Sequence, residues 1–178
     1  KRLATERNIV KAGSREIGVS VALKNTAALT VSGSLIVASK IGIRVFATGG
    51  IGGVHHCAND KPLDVSSDLL ELSRNQVIVV CAGAKNILNL EATLEVLESL
   101  AVPVFGFKTD EFPAFFVRFS GYKIPCIQNV KELAAIAVEH WKYSNSAILL
   151  CLPVANYRDF KIFNISNLSI PLTFHHLP

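Results

Sequence analysis

Three observations predict an α/β fold built on a mostly parallel sheet. Short apolar runs alternate with stretches of helical period along the chain. The runs are apolar throughout, the pattern of strands covered on both faces rather than on one. Segments rich in glycine, lysine and acid follow the runs, and open α/β sheets gather their chemistry at the carboxyl ends of strands.

The elements can be justified in order. Asn8 to Val10 is a short apolar stretch ending at Lys11. "SREIGVSVALKN" can begin a short helix at Ser14, followed by Gly18. Val31 to Ile41 has small and apolar residues at helical spacing, and Gly42 is a fitting stop. Ile43 to Ala47 reads as a buried strand, followed by the glycine-rich "TGGIGG". "DVSSDLLELSRN" is a helix entry, with Ser66 or Ser67 as cap and acids in the first turn. "QVIVVCAG" is the next buried strand, and "NILNLEATLEVLESLA" an amphipathic helix with leucines on one face. "VPVFGF" makes a third strand, "KELAAIAVEHWKYS" a further helix and "SAILLCLPV" a fourth strand. From Tyr157 the helical period is lost, and residues 157–178 are read as an atypical tail after a domain of 1–156. Its two N-x-S sequons, at Asn164 and Asn167, carry little meaning without a secretion signal.

Composition narrows the function. The 178 residues are 50% hydrophobic and 18% charged, enough to bury a sizeable core in one domain. The net charge of +4 comes from scattered residues, so no nucleic-acid footprint is expected. No apolar run is long enough for a membrane span; the best, Val77 to Val80, is broken by Cys81, Gly83 and Lys85. "KRLATERNIVK" lacks a signal-peptide core, so a cytoplasmic protein is expected. The chain has no Met, and the protein's start is expected upstream of Lys1. Cys57, Cys81, Cys126 and Cys151 form no CxxC, and no Cys/His pair has zinc-ligand spacing. Reduced thiols are expected, buried at Cys81 and Cys151.

Three constellations carry chemistry. "TGGIGGVHH" places four glycines in five residues after a strand, either a tight turn or a loop that lets backbone approach a ligand. It lacks the third glycine of a dinucleotide fingerprint and no helix follows, which disfavours a dehydrogenase. "LDVSSDL" sets Asp64 and Asp68 around Ser66 and Ser67. It reads as a capped helix with an acidic first turn, or as a metal carboxylate beside anion-binding donors, and both can hold. Lys85 closes "VVCAGAK" at a strand exit. A lysine there is either a solvated charge or a nucleophile, and a nucleophile needs its amine available unprotonated. "PAFF", Pro113 to Phe116, is an aromatic loop that packs at the sheet edge or at a subunit contact.

Together with "NIVKAGSREI", "KNTAALTV" and "VPVFGFKTDEFPAFF", these blocks resemble the pseudouridine-5'-phosphate glycosidase family over roughly Glu6 to Val154. The ordered "VFATGGIGGVH", "DVSSDL" and "VCAGAK" blocks carry most of the likeness. The resemblance implies a three-layer α/β/α fold with a mixed sheet, incomplete here relative to the family. It also implies a divalent metal, typically Mn2+, and a homotrimer. The implied reaction is reversible cleavage of pseudouridine 5'-phosphate to ribose 5-phosphate and uracil. A carbon–carbon glycosidic bond has no heteroatom leaving group to protonate, so paired carboxylates serve poorly. An amine that forms a Schiff base at the anomeric carbon supplies an electron sink, and the bond to uracil can break in a retro-Mannich sense.

By that similarity Lys85 is the Schiff-base lysine and Asp64 the metal ligand. Ser66, Ser67 and Asp68 match the substrate-binding segment. Lys11 matches a substrate-binding lysine suited to a phosphate. Val31 matches a binding position that can offer only backbone atoms or packing. The family's general acid, a glutamate in an "ALEST"-like segment, has no counterpart in these residues, and Glu6 and Glu16 lie in other contexts. Two expectations therefore stand side by side: an active glycosidase, or a truncated, silent homologue that binds sugar phosphate or joins a complete subunit.

Overall fold

A computed structural model describes residues 2–5, 8–56 and 64–154. Glu6, Cys57 and the tail 157–178, with the domain limit at 156, lie outside the described residues. The elements run α1 (Arg2–Thr5), β1 (Val10–Ala12), α2 (Ser14–Ala22), β2 (Ala27–Leu29), α3 (Val31–Lys40), β3 (Val45–Ala47) and β4 (Val54–His55). They continue α4 (Ser67–Leu72), β5 (Ile78–Cys81), β6 (Leu88–Asn89), α5 (Leu90–Ser99), β7 (Val104–Phe107), β8 (Cys126–Ile127), α6 (Val130–Tyr143) and β9 (Ile148–Cys151).

The central sheet has the order β3-β5-β9-β7-β8, and every pairing in it is parallel. β1 and β2 form a separate parallel pair, and β4 with β6 an antiparallel one. Side chains alternate across the sheet. Val79, Cys81, Leu149 and Cys151 join Leu35 of α3, Leu69 and Leu72 of α4 and Leu97 of α5 in one apolar core. Ile148, Leu150, Ile78 and Val80 face the other way and pack on Leu133 and Ala137 of α6. The result is three layers, with α3, α4 and α5 on one face and α6 on the other. Central β9 is buried at every position, as its unbroken apolar text requires.

Helices α3 to α6 each start where a side chain satisfies a free N–H group. Ser66 accepts from the Asp68 N–H at 3.2 Å, Asn89 from Ala92 at 3.0 Å and Asn129 from Glu132 at 2.9 Å. At α2 the cap is reversed: Glu16 reaches back and accepts the Gly13 N–H at 3.0 Å.

The first apolar run differs from its sequence reading. It forms a strand only over Val45–Ala47, and Val45 is 59% exposed. Among the described residues β3 is the edge of the sheet and pairs with β5 alone, so one flank has no neighbour. The pairs β1–β2 and β4–β6 and the strand β8 were not anticipated; at two or three residues each they are too short to show a period.

The thiols separate cleanly. Cys81 and Cys151 are free, buried and paired in register across β5 and β9, whereas Cys126 is half-buried. Burial, and then the hydrogen bond with Cys81, pushes the Cys151 thiol well above its ordinary range. Iodoacetamide should therefore alkylate Cys126 first and reach Cys81 and Cys151 only as the protein unfolds. Mass spectrometry of the native and urea-treated protein checks this; equal native labelling of the three would contradict the packed sheet.

Candidate functional site

Parallel pairing carries the C-termini of the strands to one edge, and two strand exits there are woven together. The Thr48 N–H donates to the Val80 carbonyl at 2.9 Å, that of Ala82 to Gly49 at 3.0 Å and that of Ile51 to Gly83 at 3.0 Å. The glycine loop after β3 thus keeps pairing with the segment after β5. Gly83 has φ +76°, and the Pro113 carbonyl lies where a Cβ would stand, so only glycine fits. Lys85 follows at once and is exposed.

Beyond the loop the chain doubles back. The His55 N–H donates to the Asp64 carbonyl at 2.9 Å, and the Ser66 N–H to that of Gly53 at 3.0 Å. This antiparallel step sets Asp64 on the cleft, exposed, with its Oδ2 4.0 Å from His55 Nε2. Among the described residues no group of three or more His, Cys, Asp or Glu side chains is placed to hold a metal. A metal here would have to rest on Asp64, with waters and substrate completing its shell, as magnesium-like ions often do.

Asp68 is buried and fully engaged. Its Oδ1 accepts the Ser32 N–H at 2.7 Å and its Oδ2 the Gly52 N–H at 2.9 Å. Around it hydroxyls knit three helix starts together. Ser32 Oγ accepts the Ser14 N–H at 3.2 Å and lies 3.0 Å from Ser67 Oγ and 2.8 Å from Thr30 Oγ1. The N-termini of α2, α3 and α4 therefore share one network, and their positive dipole ends favour an anion nearby.

These elements enclose an open cleft of about 880 Å³. Lys11, Asp64, Ser66, Ser67, Asp68 and Lys85 all line it, so residues distant in sequence meet. Val31 is not among the lining residues; it begins α3 and packs half-buried against the core, while its neighbour Thr30 faces the cleft. Sequence reasoning missed Thr30, Ser32, Arg15 and Glu16. The hydroxyls of "TVS" at a helix start were the available signal, since such residues cap helices. Glu16 is not a free acid in this setting. The Arg15 side chain, and then the Gly13 N–H, hold its carboxyl below the usual carboxylate range.

Residues 1–167 match the family model described as "Indigoidine synthase A like protein". The pseudouridine-5'-phosphate glycosidase of Brachyspira hyodysenteriae is 47% identical over 154 residues, which are 85% of this chain and 50% of that protein. That of Geobacillus kaustophilus is 45% identical over 163 residues, 90% and 54% of the two chains. Among solved structures, the prealnumycin C-glycosynthase AlnA in complex with ribulose 5-phosphate superposes with a TM-score of 0.83 at 37% identity, covering 89% of this chain and 52% of that one. An indigoidine synthase A-like protein of Thermotoga maritima superposes at 0.78 and 35% identity, covering 98% and 59%. The chain spans about half the length of the curated relatives it matches.

Two predictions follow from this geometry. Asp68→Ala leaves two backbone N–H groups unpaired in a buried place, at a cost of about 3 kcal/mol, whereas Asp68→Asn keeps one acceptor and costs about half of that. Urea unfolding of the two variants should rank them in that order. The second concerns pH. A carboxyl with a depressed folded pKa stabilises above its unfolded value and loses that contribution as pH falls through the folded value. The Glu16 cap should therefore open only below the ordinary carboxylate range. The amide shift of Gly13, followed by NMR, should titrate in that acid window and stay flat above it.

Proposed function

The chain belongs to the indigoidine synthase A like family, and from that premise we propose that it is the lysine-bearing part of a pseudouridine-5'-phosphate glycosidase. The observation that carries the reading is the meeting of Lys85, Lys11, Asp64 and the Ser66–Asp68 turn on one cleft. An amine, a cation, an exposed carboxylate and several helix N-termini are what a phosphorylated sugar with a reactive anomeric carbon calls for. The superposition on a C-glycosynthase solved with ribulose 5-phosphate supports a sugar phosphate as ligand.

In this reading Lys85 adds through Nζ to the anomeric carbon and the ribose ring opens. The nitrogen lone pair then forms the C=N bond as the carbon–carbon bond breaks, and its electron pair leaves on uracil C5, which takes up a proton from water. Water adds to the iminium and returns the lysine amine and ribose 5-phosphate. Lys11 meets the phosphate as a point charge, and the Ser67 hydroxyl at the start of α4 orients the sugar. Asp64, exposed on the cleft, would hold Mn2+ or a similar ion through one carboxylate with waters. Such an ion supplies positive charge toward the substrate's oxygens. The homotrimer and the cytoplasmic location remain part of the same reading.

One observation favours a second reading. The described carboxylates on the cleft are Glu16, Asp64 and Asp68. Glu16 is held as an anion, Asp68 is occupied by two N–H groups, and Asp64 is the metal candidate. None is left to serve as a general acid, the loss of which typically costs 10²–10⁴-fold in rate. A chain that binds sugar phosphate and forms the imine without turnover fits this arrangement.

Borohydride with ribose 5-phosphate should leave a reduced adduct on Lys85, mapped by peptide mass spectrometry, and Lys85→Arg should abolish it. An adduct on another lysine, or none, would sink the Schiff-base assignment. Uracil release from pseudouridine 5'-phosphate with Mn2+ present separates the readings: release favours the glycosidase, an adduct without release the silent binder.

A further inference from the structure

The loop after β7 carries an aromatic residue whose placement the reaction scheme does not use. Phe115 holds φ +63°, a left-handed backbone that is a clear outlier for a bulky side chain. The surrounding structure enforces it. The Phe115 N–H donates to the Ala82 carbonyl at 2.9 Å, which anchors the turn to the exit of β5. The Ala114 N–H closes the turn on Val117 at 2.9 Å. The ring is thereby seated against the glycine loop. A Cβ on Gly50 would collide with it, and one on Gly49 would stand 3.4 Å from Cε2. The neighbouring Phe116 meets the ring edge-on at 4.5 Å between centroids. Lys85 Nζ lies over the same ring, 5.8 Å from its centroid.

A strained backbone, a side-chain-free platform and an amine over the ring face are three separate features that converge on one residue. We propose that Phe115 is a positioning residue for Lys85: its ring, seated on the glycine loop, holds the cationic nitrogen at the mouth of the cleft. The inference rests on the reading of Lys85 as the imine-forming amine and says how that amine is kept in place.

The electrostatics suit the chemistry. A ring face attracts a cation within about 6 Å. The resting ammonium gives up a proton, the free amine adds to the sugar aldehyde, water leaves as the C=N bond forms, and the nitrogen takes a proton back as an iminium with one positive charge. The ring face therefore attracts the nitrogen in both the resting and the condensed state. Phe116, 72% exposed, buttresses the ring from its edge and does not itself reach the amine contact. The glycines of "TGGIGG" then have a second reason to lack side chains, since they are the surface on which the ring rests.

The test has two arms. In the unaltered chain the ε-methylene protons of Lys85 should resonate upfield of free lysine, shielded by the ring, in a reading that needs neither a variant nor any chemistry. In the borohydride assay, Phe115→Leu should lower the trapping rate at saturating ribose 5-phosphate about two- to fivefold. The half-saturating concentration should stay unchanged, and Phe115→Tyr, which restores a ring, should trap at the original rate. Unshifted Lys85 protons with a normal adduct, or equal trapping by the Phe and Leu forms, would overturn the positioning role alone. A shifted Lys85 with no adduct in the unaltered chain would instead overturn the Schiff-base reading, and the role with it.

Discussion

The Asp68 carboxylate takes the Ser32 N–H on one oxygen and the Gly52 N–H on the other, and so ties the start of α3 to the glycine loop at the sheet edge. Charge-assisted hydrogen bonds are short and directional, and a buried carboxylate left without them would be costly. The pair of bonds therefore fixes both partners: α3 cannot turn about its axis, and the loop cannot lift from the sheet. Ser66 caps the helix on which Asp68 sits, so the cap and the tie belong to one turn of chain.

The cleft inherits its shape from that arrangement. Three helices begin beside one another because Ser14, Ser32, Thr30 and Ser67 exchange hydrogen bonds across their first turns. Their dipoles together favour an anion on that side of the cleft. The strand exit that carries Lys85 lines the same cleft and is held by backbone pairing to the glycine loop. In the proposed reading, binding and chemistry are divided between these two elements, both of which line one cleft. The polar network leaves no orphan: among the described residues no buried side-chain nitrogen or oxygen lacks a partner.

Much of this was legible. The strands at Ile78–Cys81, Val104–Phe107 and Ile148–Cys151 are unbroken apolar runs, and their burial on both faces follows from that text. The cap at Ser66 stands just ahead of a helical period as read, whereas α5 begins only at Leu90, after the Asn89 cap, and not at Asn86. What escaped were the parts without a local signal. Val45 belongs to a run as apolar as the others, yet it is exposed, because its strand is an edge. Val31, which by resemblance can offer only backbone atoms or packing, packs half-buried against the core at the first turn of α3, and its neighbour Thr30 lines the cleft.

The sequence by itself determined the class of fold, the order of the helices and of the longer strands, and the residue types available for chemistry. Those depend on local periodicity and capping, which neighbouring residues set. Only the tertiary structure decided which of them meet. Asp68 reads locally as an acid in a first turn; folded, it is a tie between two distant N–H groups rather than a free ligand. Lys85 reads as a strand-end lysine; folded, it shares a cleft with Lys11 and Asp64 and lies over Phe115. The reason is physical: a hydrogen bond or a ring contact between residues far apart in the chain exists only once the sheet has brought its strand ends to one edge.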